Sequence, residues 1–241
     1  MPTVERPATL RPPLKWAGGK RWQVPHLQPI WEAHAHRRLV EPFCGGLAVT
    51  LGLIPSRALV NDANPHLINF YRWLQKGLRV DLQMENDEAQ FYQHRDRFNG
   101  LLAAGKGTSR EAAALFYYLN RTGYNGLCRF NAKGGFNVPF GRYAQIGYTR
   151  DFTPYRDVFA DWTFICTDVE AVPAARGALE QRRPDRPRFG PAALRTAEAL
   201  RPSELHQVRA AGVSRRESAL ELRQGPRIIF HGPVRYMLGS P

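Results

Sequence analysis

The chain has 241 residues, 43% of them hydrophobic, enough for one sizeable core with or without a small appendage. No apolar stretch approaches the length of a bilayer span and no signal-peptide pattern opens the chain, so a soluble cytoplasmic protein is the expectation. Lys and Arg exceed Asp and Glu by 13, which favours a polyanionic partner, nucleic acid being the commonest. Because 29 of the 34 cations are Arg, a GC-rich genome explains the same excess equally well.

Three cysteines, Cys44, Cys128 and Cys166, form no CxxC pair and are odd in number. This argues against a disulfide framework and against a structural zinc site, and no metal is expected.

In chain order, the first chemical feature is Leu14-Lys15-Trp16-Ala17-Gly18-Gly19-Lys20. Adjacent glycines let a backbone approach a ligand closely, Trp16 offers a flat face and Lys20 a charge. A Gly-Gly turn between two lysines is also ordinary structure. Arg38 to Glu41 reads as a short strand. It leads through Pro42-Phe43-Cys44-Gly45-Gly46 into a helix from Leu47 to Leu53, stopped by Pro55. Such a turn presents backbone N–H groups where a nucleotide-like cofactor can sit. Ala58 to Asn61 is a second strand, ending beside Asp62, 17 residues after Gly45. An acidic residue there usually holds ribose hydroxyls, and the competing role for Asp62 is to cap the next helix. That helix, Asn64 to Gln75, places Leu67, Ile68, Tyr71 and Leu74 at spacings of three and four.

Ala89 to Leu102 also reads as helix. Thr108 and Glu111 have capping-box spacing ahead of a further helix, Ala112 to Asn120. Two short runs around Lys133-Gly134-Gly135 suggest a hairpin, and Thr163 to Cys166 a buried strand. Residues 116–156 carry six cations, one acid and eleven aromatics. Arg and Asn suit base edges, and aromatics stack beside an extruded base; a folded aromatic cluster has the same composition.

LKWAGGK, VEPFCGG, NDAN, NRTGYNGLCRFN and FNVPFGRY occur here in the order found in the Dam-like, D12-class DNA adenine methyltransferases. The chain resembles that family over residues 14–170. The resemblance implies an α/β fold: part of a Rossmann-like sheet that binds S-adenosylmethionine, with a mainly helical insertion that recognises double-stranded DNA. Trp16, Lys20 and Asp62 match positions that bind S-adenosylmethionine, and Phe43 and Gly45 match the glycine-rich cofactor loop. Tyr124, Asn125, Leu127, Arg129, Pro139 and Arg142 match the loop and hairpin that meet DNA. In relatives acting on GATC, Leu127 and Arg129 fall where bases are read, and Tyr124 and Asn125 where the duplex is opened. The implied reaction is methyl transfer to the adenine amino nitrogen after base flipping. It leaves open the recognition sequence, the oligomeric state, and whether the setting is restriction-modification, phage or housekeeping.

Two features depart from the family pattern. Leu47 stands where a glycine or small residue is usual, and a side chain there would crowd the methionine end of the cofactor. No Asp-Pro-Pro-Tyr-like segment occurs anywhere in the 241 residues. In the family that segment holds the flipped adenine and polarises its amino group. No catalytic residue is therefore assigned. An impaired enzyme, or a non-catalytic sequence-specific DNA-binding remnant, is the expectation. An RNA adenine methyltransferase is disfavoured by the hairpin motif.

Composition changes near residue 172: residues 173–241 carry 13 Arg, no Lys and no Trp. The expected division is a cofactor-binding part (1–75), a target-recognition insertion (76–156), a return strand (157–172) and an atypical Arg/Pro-rich tail (173–241). The tail reads as a shifted frame or a partly disordered basic extension. Helical character at 191–200 and 214–222 and a strand at 227–230 are its structured alternatives. The first strands should then show an unpaired edge.

Overall fold

The computed structural model describes residues 10–181. The tail elements expected at 191–200, 214–222 and 227–230 lie outside the described residues. Three parallel strands form the sheet: β1 (Leu39–Glu41), β2 (Ala58–Asn61) and β3 (Trp162–Ile165), in the order β1-β2-β3. Leu39 pairs with Ala58, and Ala58 in turn with Trp162. The central strand β2 is buried along its whole length, the apolar run a two-sided parallel sheet requires. Among the described residues β1 and β3 each have one strand neighbour, β2.

α1 (Val24–Glu32) precedes the sheet, and α2 (Ala48–Leu53) joins β1 to β2. α3 (Pro65–Gln75) follows β2 and starts where the sequence directs it. Asn64 caps it by accepting the N–H groups of His66 and Leu67, and Pro65 fills the first turn, where no N–H is needed. Asn64, not Asp62, is therefore the cap of this helix.

The stretch between β2 and β3 holds α4 (Glu88–Ala103), α5 (Arg110–Thr122) and α6 (Thr153–Phe159). The cap of α5 is Ser109, whose hydroxyl accepts the Ala112 N–H at 3.1 Å; Thr108 lies one residue too early. α5 packs against α3 through stacked Phe70 and Tyr117, 5.7 Å apart, with Phe152 edge-on to both. Aromatic pairs of this kind add about 0.5–1.5 kcal/mol each beyond the area they bury. The segment between β2 and β3 is thus part of the same hydrophobic core as the sheet.

One detail differs from the sequence reading. β3 alternates buried and half-buried residues instead of being buried throughout, and Cys166 lies beyond it, exposed. The hairpin near Gly134 is present as expected: Phe130 bridges Phe136 antiparallel, the Asn137 N–H donates to the Arg129 carbonyl, and Asn131 accepts the N–H groups of Lys133 and Gly135 in the turn. α7 (Val172–Gln181) carries helical structure past the compositional break at 172.

Candidate cofactor and nucleic-acid site

Parallel strands end on one side of a sheet, and ligands of open α/β folds collect there. Here that side is formed by Pro42–Gly46 after β1, Asp62–Asn64 after β2 and Cys166–Asp168 after β3. Asn61 joins all three. Its side-chain nitrogen donates to the carbonyls of Pro42 and Thr167, and its oxygen accepts the Thr167 N–H, each at 3.0 Å. Asp62 then fixes the glycine turn: one carboxylate oxygen accepts the Gly45 N–H at 3.1 Å, the other the Asn64 N–H at 2.9 Å. The Tyr71 hydroxyl donates to the Gly45 carbonyl at 2.6 Å.

Trp16 lies directly on this turn. A β-carbon built on Gly45 would stand 2.6 Å from Trp16 Nε1, and one on Gly46 would stand 2.7 Å from Trp16 Cβ, so a side chain at either position would displace Trp16. Gly45 also has φ +44°. Phe43 is half-buried on the same turn. Lys20 follows on the Trp16 segment, half-buried at the start of the 3-10 turn Arg21–Gln23. Among the described residues no ion pair joins Lys20 to Asp62.

The electrostatics of the turn are acidic and sheltered. Burial pushes the Glu41 carboxyl up to about 7, opposed by its hydrogen bond from the Thr50 hydroxyl and reinforced by the nearby Asp62 charge. Burial also raises Asp62, while the Asn64 and Gly45 N–H groups hold it down. Carboxylates that resist ionisation beside an indole face suit a cationic ligand, whose charge favours their ionised form. Asp62 retains lone pairs that could accept hydroxyl donors of a ligand, and the glycine turn offers backbone close up.

Leu47 is not where it would crowd such a ligand. Its side chain is fully buried in the core, and its backbone, at φ +61°, is left-handed. A glycine would adopt that conformation without strain.

The second group of expected residues lies on an arm that leaves α5. Gly123 bridges to Phe140, and the Tyr124 N–H donates to the Pro139 carbonyl at 2.9 Å, so the turn and the FNVPFGRY segment run side by side. All six residues are exposed: Tyr124, Asn125, Leu127, Arg129, Pro139 and Arg142. Tyr124 is 49% and Leu127 38% exposed, two of four large hydrophobics left so among the described residues. A folding core has no use for them there. Asn125 (φ +50°) and Arg142 (φ +49°) are both held left-handed. Arg129 is aimed by Asn137, whose side-chain oxygen accepts its Nε at 2.9 Å. Arg142 pairs with Glu88 at 3.3 Å on the surface.

Sequence reading missed Lys15, Asn61, Tyr71 and Asn120. Tyr71 was placed on an apolar helix face, yet a buried hydroxyl needs a partner, and that need was the available signal. Asn120 sits in the last turn of α5 and is 2% exposed, a buried amide that needs partners.

A family model described as D12 class N6 adenine-specific DNA methyltransferase matches residues 16–178. The chain belongs to this family of adenine-specific DNA methyltransferases. It is 42% identical to the DNA adenine methylase of Vibrio cholerae over 162 residues, covering 64% of this chain and 56% of that one. The retron Ec67 DNA adenine methylase of Escherichia coli is 35% identical over 165 residues, covering 65% and 56%. The type II methyltransferase M1.LlaDCHI of Lactococcus lactis subsp. cremoris is 39% identical over 142 residues, covering 56% and 49%. The chain thus spans about half the length of the curated relatives it matches. No helix among the described residues is long and apolar enough to cross a membrane.

Proposed function

We propose that this chain is the cofactor-holding and duplex-reading portion of a DNA adenine methyltransferase that uses S-adenosylmethionine. Residues 1–75 and 157–172 would hold the cofactor, and residues 76–156 would hold the duplex. The observation that carries the reading is Gly45 at the strand ends, hydrogen-bonded to Asp62 and closely flanked by Trp16. It is supported by the exposed Tyr124–Arg129 turn, which projects aromatic, apolar and cationic groups together.

In this reading Asp62 and the glycine turn would orient the nucleoside, and Trp16 and Lys20 would help to hold it. The cofactor supplies an electrophilic methyl group when bound. Tyr124 and Asn125 open the duplex, Leu127 and Arg129 read bases, and Pro139 and Arg142 grip the backbone. The 241 residues contain no Asp-Pro-Pro-Tyr-like segment to hold the flipped adenine's amino group, and in this reading they bind both ligands with little methyl transfer. Incubation of the chain with tritiated S-adenosylmethionine and an adenine-containing duplex tests this. Binding of both with methyl incorporation near background is expected; brisk incorporation would refute the impairment. Footprinting on a short site without methylation would favour the second reading, a sequence-specific DNA-binding remnant, to which the missing Asp-Pro-Pro-Tyr segment also points.

A further inference from the structure

Asn120 makes a two-way clamp on the backbone of a single residue 105 positions away. Its side-chain oxygen accepts the Lys15 N–H at 2.8 Å, and its side-chain nitrogen donates to the Lys15 carbonyl at 2.8 Å. A buried carboxamide that meets both polar groups of one residue behaves like a strand neighbour for that residue alone. Lys15 immediately precedes Trp16, which lies on the glycine turn. Asn120 lies at the end of α5, four residues before Tyr124, the first residue of the arm's exposed turn.

Three more contacts close the same joint. Lys15 Nζ donates to the Arg121 carbonyl at 2.8 Å, and it sits 3.4 Å from the centre of the Tyr143 ring. A β-carbon on Gly126 would stand 2.5 Å from Lys15 Cβ and 2.9 Å from the Lys15 carbonyl oxygen. The arm therefore rests on Lys15 with no gap. The Tyr143 hydroxyl donates to the Gly123 carbonyl at 3.1 Å, so the ring under the ammonium is itself tied to the arm.

We propose that Asn120 is a positioning residue that couples the two ligand sites, so that ordering the Trp16 segment around a cofactor orders the Tyr124–Arg129 turn for a duplex, and the reverse. This rests on the assignment of those two ligands made above. The coupling is reciprocal, because one joint holds both segments and any ligand that orders one lessens what the other must lose. Neither Asn120 nor the Lys15 peptide touches a reacting atom in this scheme.

The test is a binding cycle on the full chain. The affinity of a fluorescein-labelled duplex is measured with and without saturating S-adenosylmethionine, for the wild type and Asn120→Ala. Coupling of about tenfold is expected in the wild type, within the usual range for linked sites. In Asn120→Ala the factor falls towards one, whereas a merely structural defect weakens each ligand and leaves the factor unchanged. A folded variant with the wild-type factor overturns the proposal, as does a wild type whose two ligands bind independently. Hydrogen exchange of the wild type decides the matter even where the variant does not fold. Duplex alone should slow exchange across residues 14–20, and unchanged exchange there overturns the proposal. A wild type that binds neither ligand instead sinks the functional assignment itself, a separate and recognisable failure.

Discussion

Asp62 accepts the Gly45 N–H at 3.1 Å and so joins the ends of two neighbouring strands through a single carboxylate. The same carboxylate holds the Asn64 N–H, which sets up the cap of α3. Removal of this side chain leaves two sheltered N–H groups without a partner. Asp62→Ala should cost about 2–4 kcal/mol of stability, since a buried donor left unpaired costs about 1–3 kcal/mol. Urea denaturation of wild type and variant measures it; a loss below about 0.5 kcal/mol, within the range of ordinary surface changes, would show that the bond is ornamental.

Leu47 gives a more discriminating test. Its side chain fills core, so truncation to Ala should cost about 2–5 kcal/mol. Its backbone is left-handed, which costs a non-glycine residue about 1–2 kcal/mol. Leu47→Gly loses the same packing but sheds that strain. Leu47→Gly should therefore be more stable than Leu47→Ala by about 1 kcal/mol, the reverse of the usual helical preference. Chemical denaturation in which Ala outranks Gly would contradict the φ assigned to this residue.

Glu41 should make stability fall as pH rises. Its folded carboxyl titrates at about 7 against an ordinary 4.5, so the folded state binds the extra proton between those values. Stability from this group is full below about pH 4.5 and is lost progressively up to about pH 7, amounting to about 3 kcal/mol. Glu41→Gln cannot ionise and keeps a similar shape. The variant's stability should gain on the wild type between pH 5 and pH 8 by an amount of that order. Parallel pH profiles for the two proteins would place the titration elsewhere.

Arg142 and Glu88 form an exposed pair that a phosphate would replace. Arg142→Ala should weaken duplex binding equally for all sequences and lower the salt slope by about one. Arg129→Ala should instead cost about 1–3 kcal/mol and relax preference at one base position. Glu88→Gln frees Arg142 from competition and should tighten binding modestly without altering preference. Fluorescence anisotropy across a salt series separates these outcomes, and an Arg129→Ala variant with undiminished sequence preference would remove that residue from base reading.

Much of this architecture was legible because local chemistry agreed with the final packing. Ala58 to Asn61 forms a strand as its apolar run requires, and Asn64-Pro65 starts α3 as a cap followed by proline should. The clusters around Gly45 and Tyr124 were readable from their order along the chain. What was not legible depends on contacts between distant segments. Nothing near Asn120 announces Lys15 as its partner, and nothing near Asn61 announces Thr167. The Ser109 cap differs from the expected Thr108 by one residue, because both are hydroxyl residues and only the backbone angle of Ser109 chooses. Leu47 read as a helical residue, and its left-handed backbone becomes visible only once its side chain is seen to be held in the core.

Isothermal titration of S-adenosylmethionine into the folded chain, for the wild type and for Asp62→Ala, bears most directly on the central claim. One molecule should bind per wild-type chain, with affinity at least about tenfold weaker in the variant, since a hydrogen bond to a charged group contributes about 1.5–3 kcal/mol. No binding to a wild type of verified fold, or equal binding by both proteins, would contradict the assignment of the Trp16–Gly45–Asp62 junction as the cofactor site.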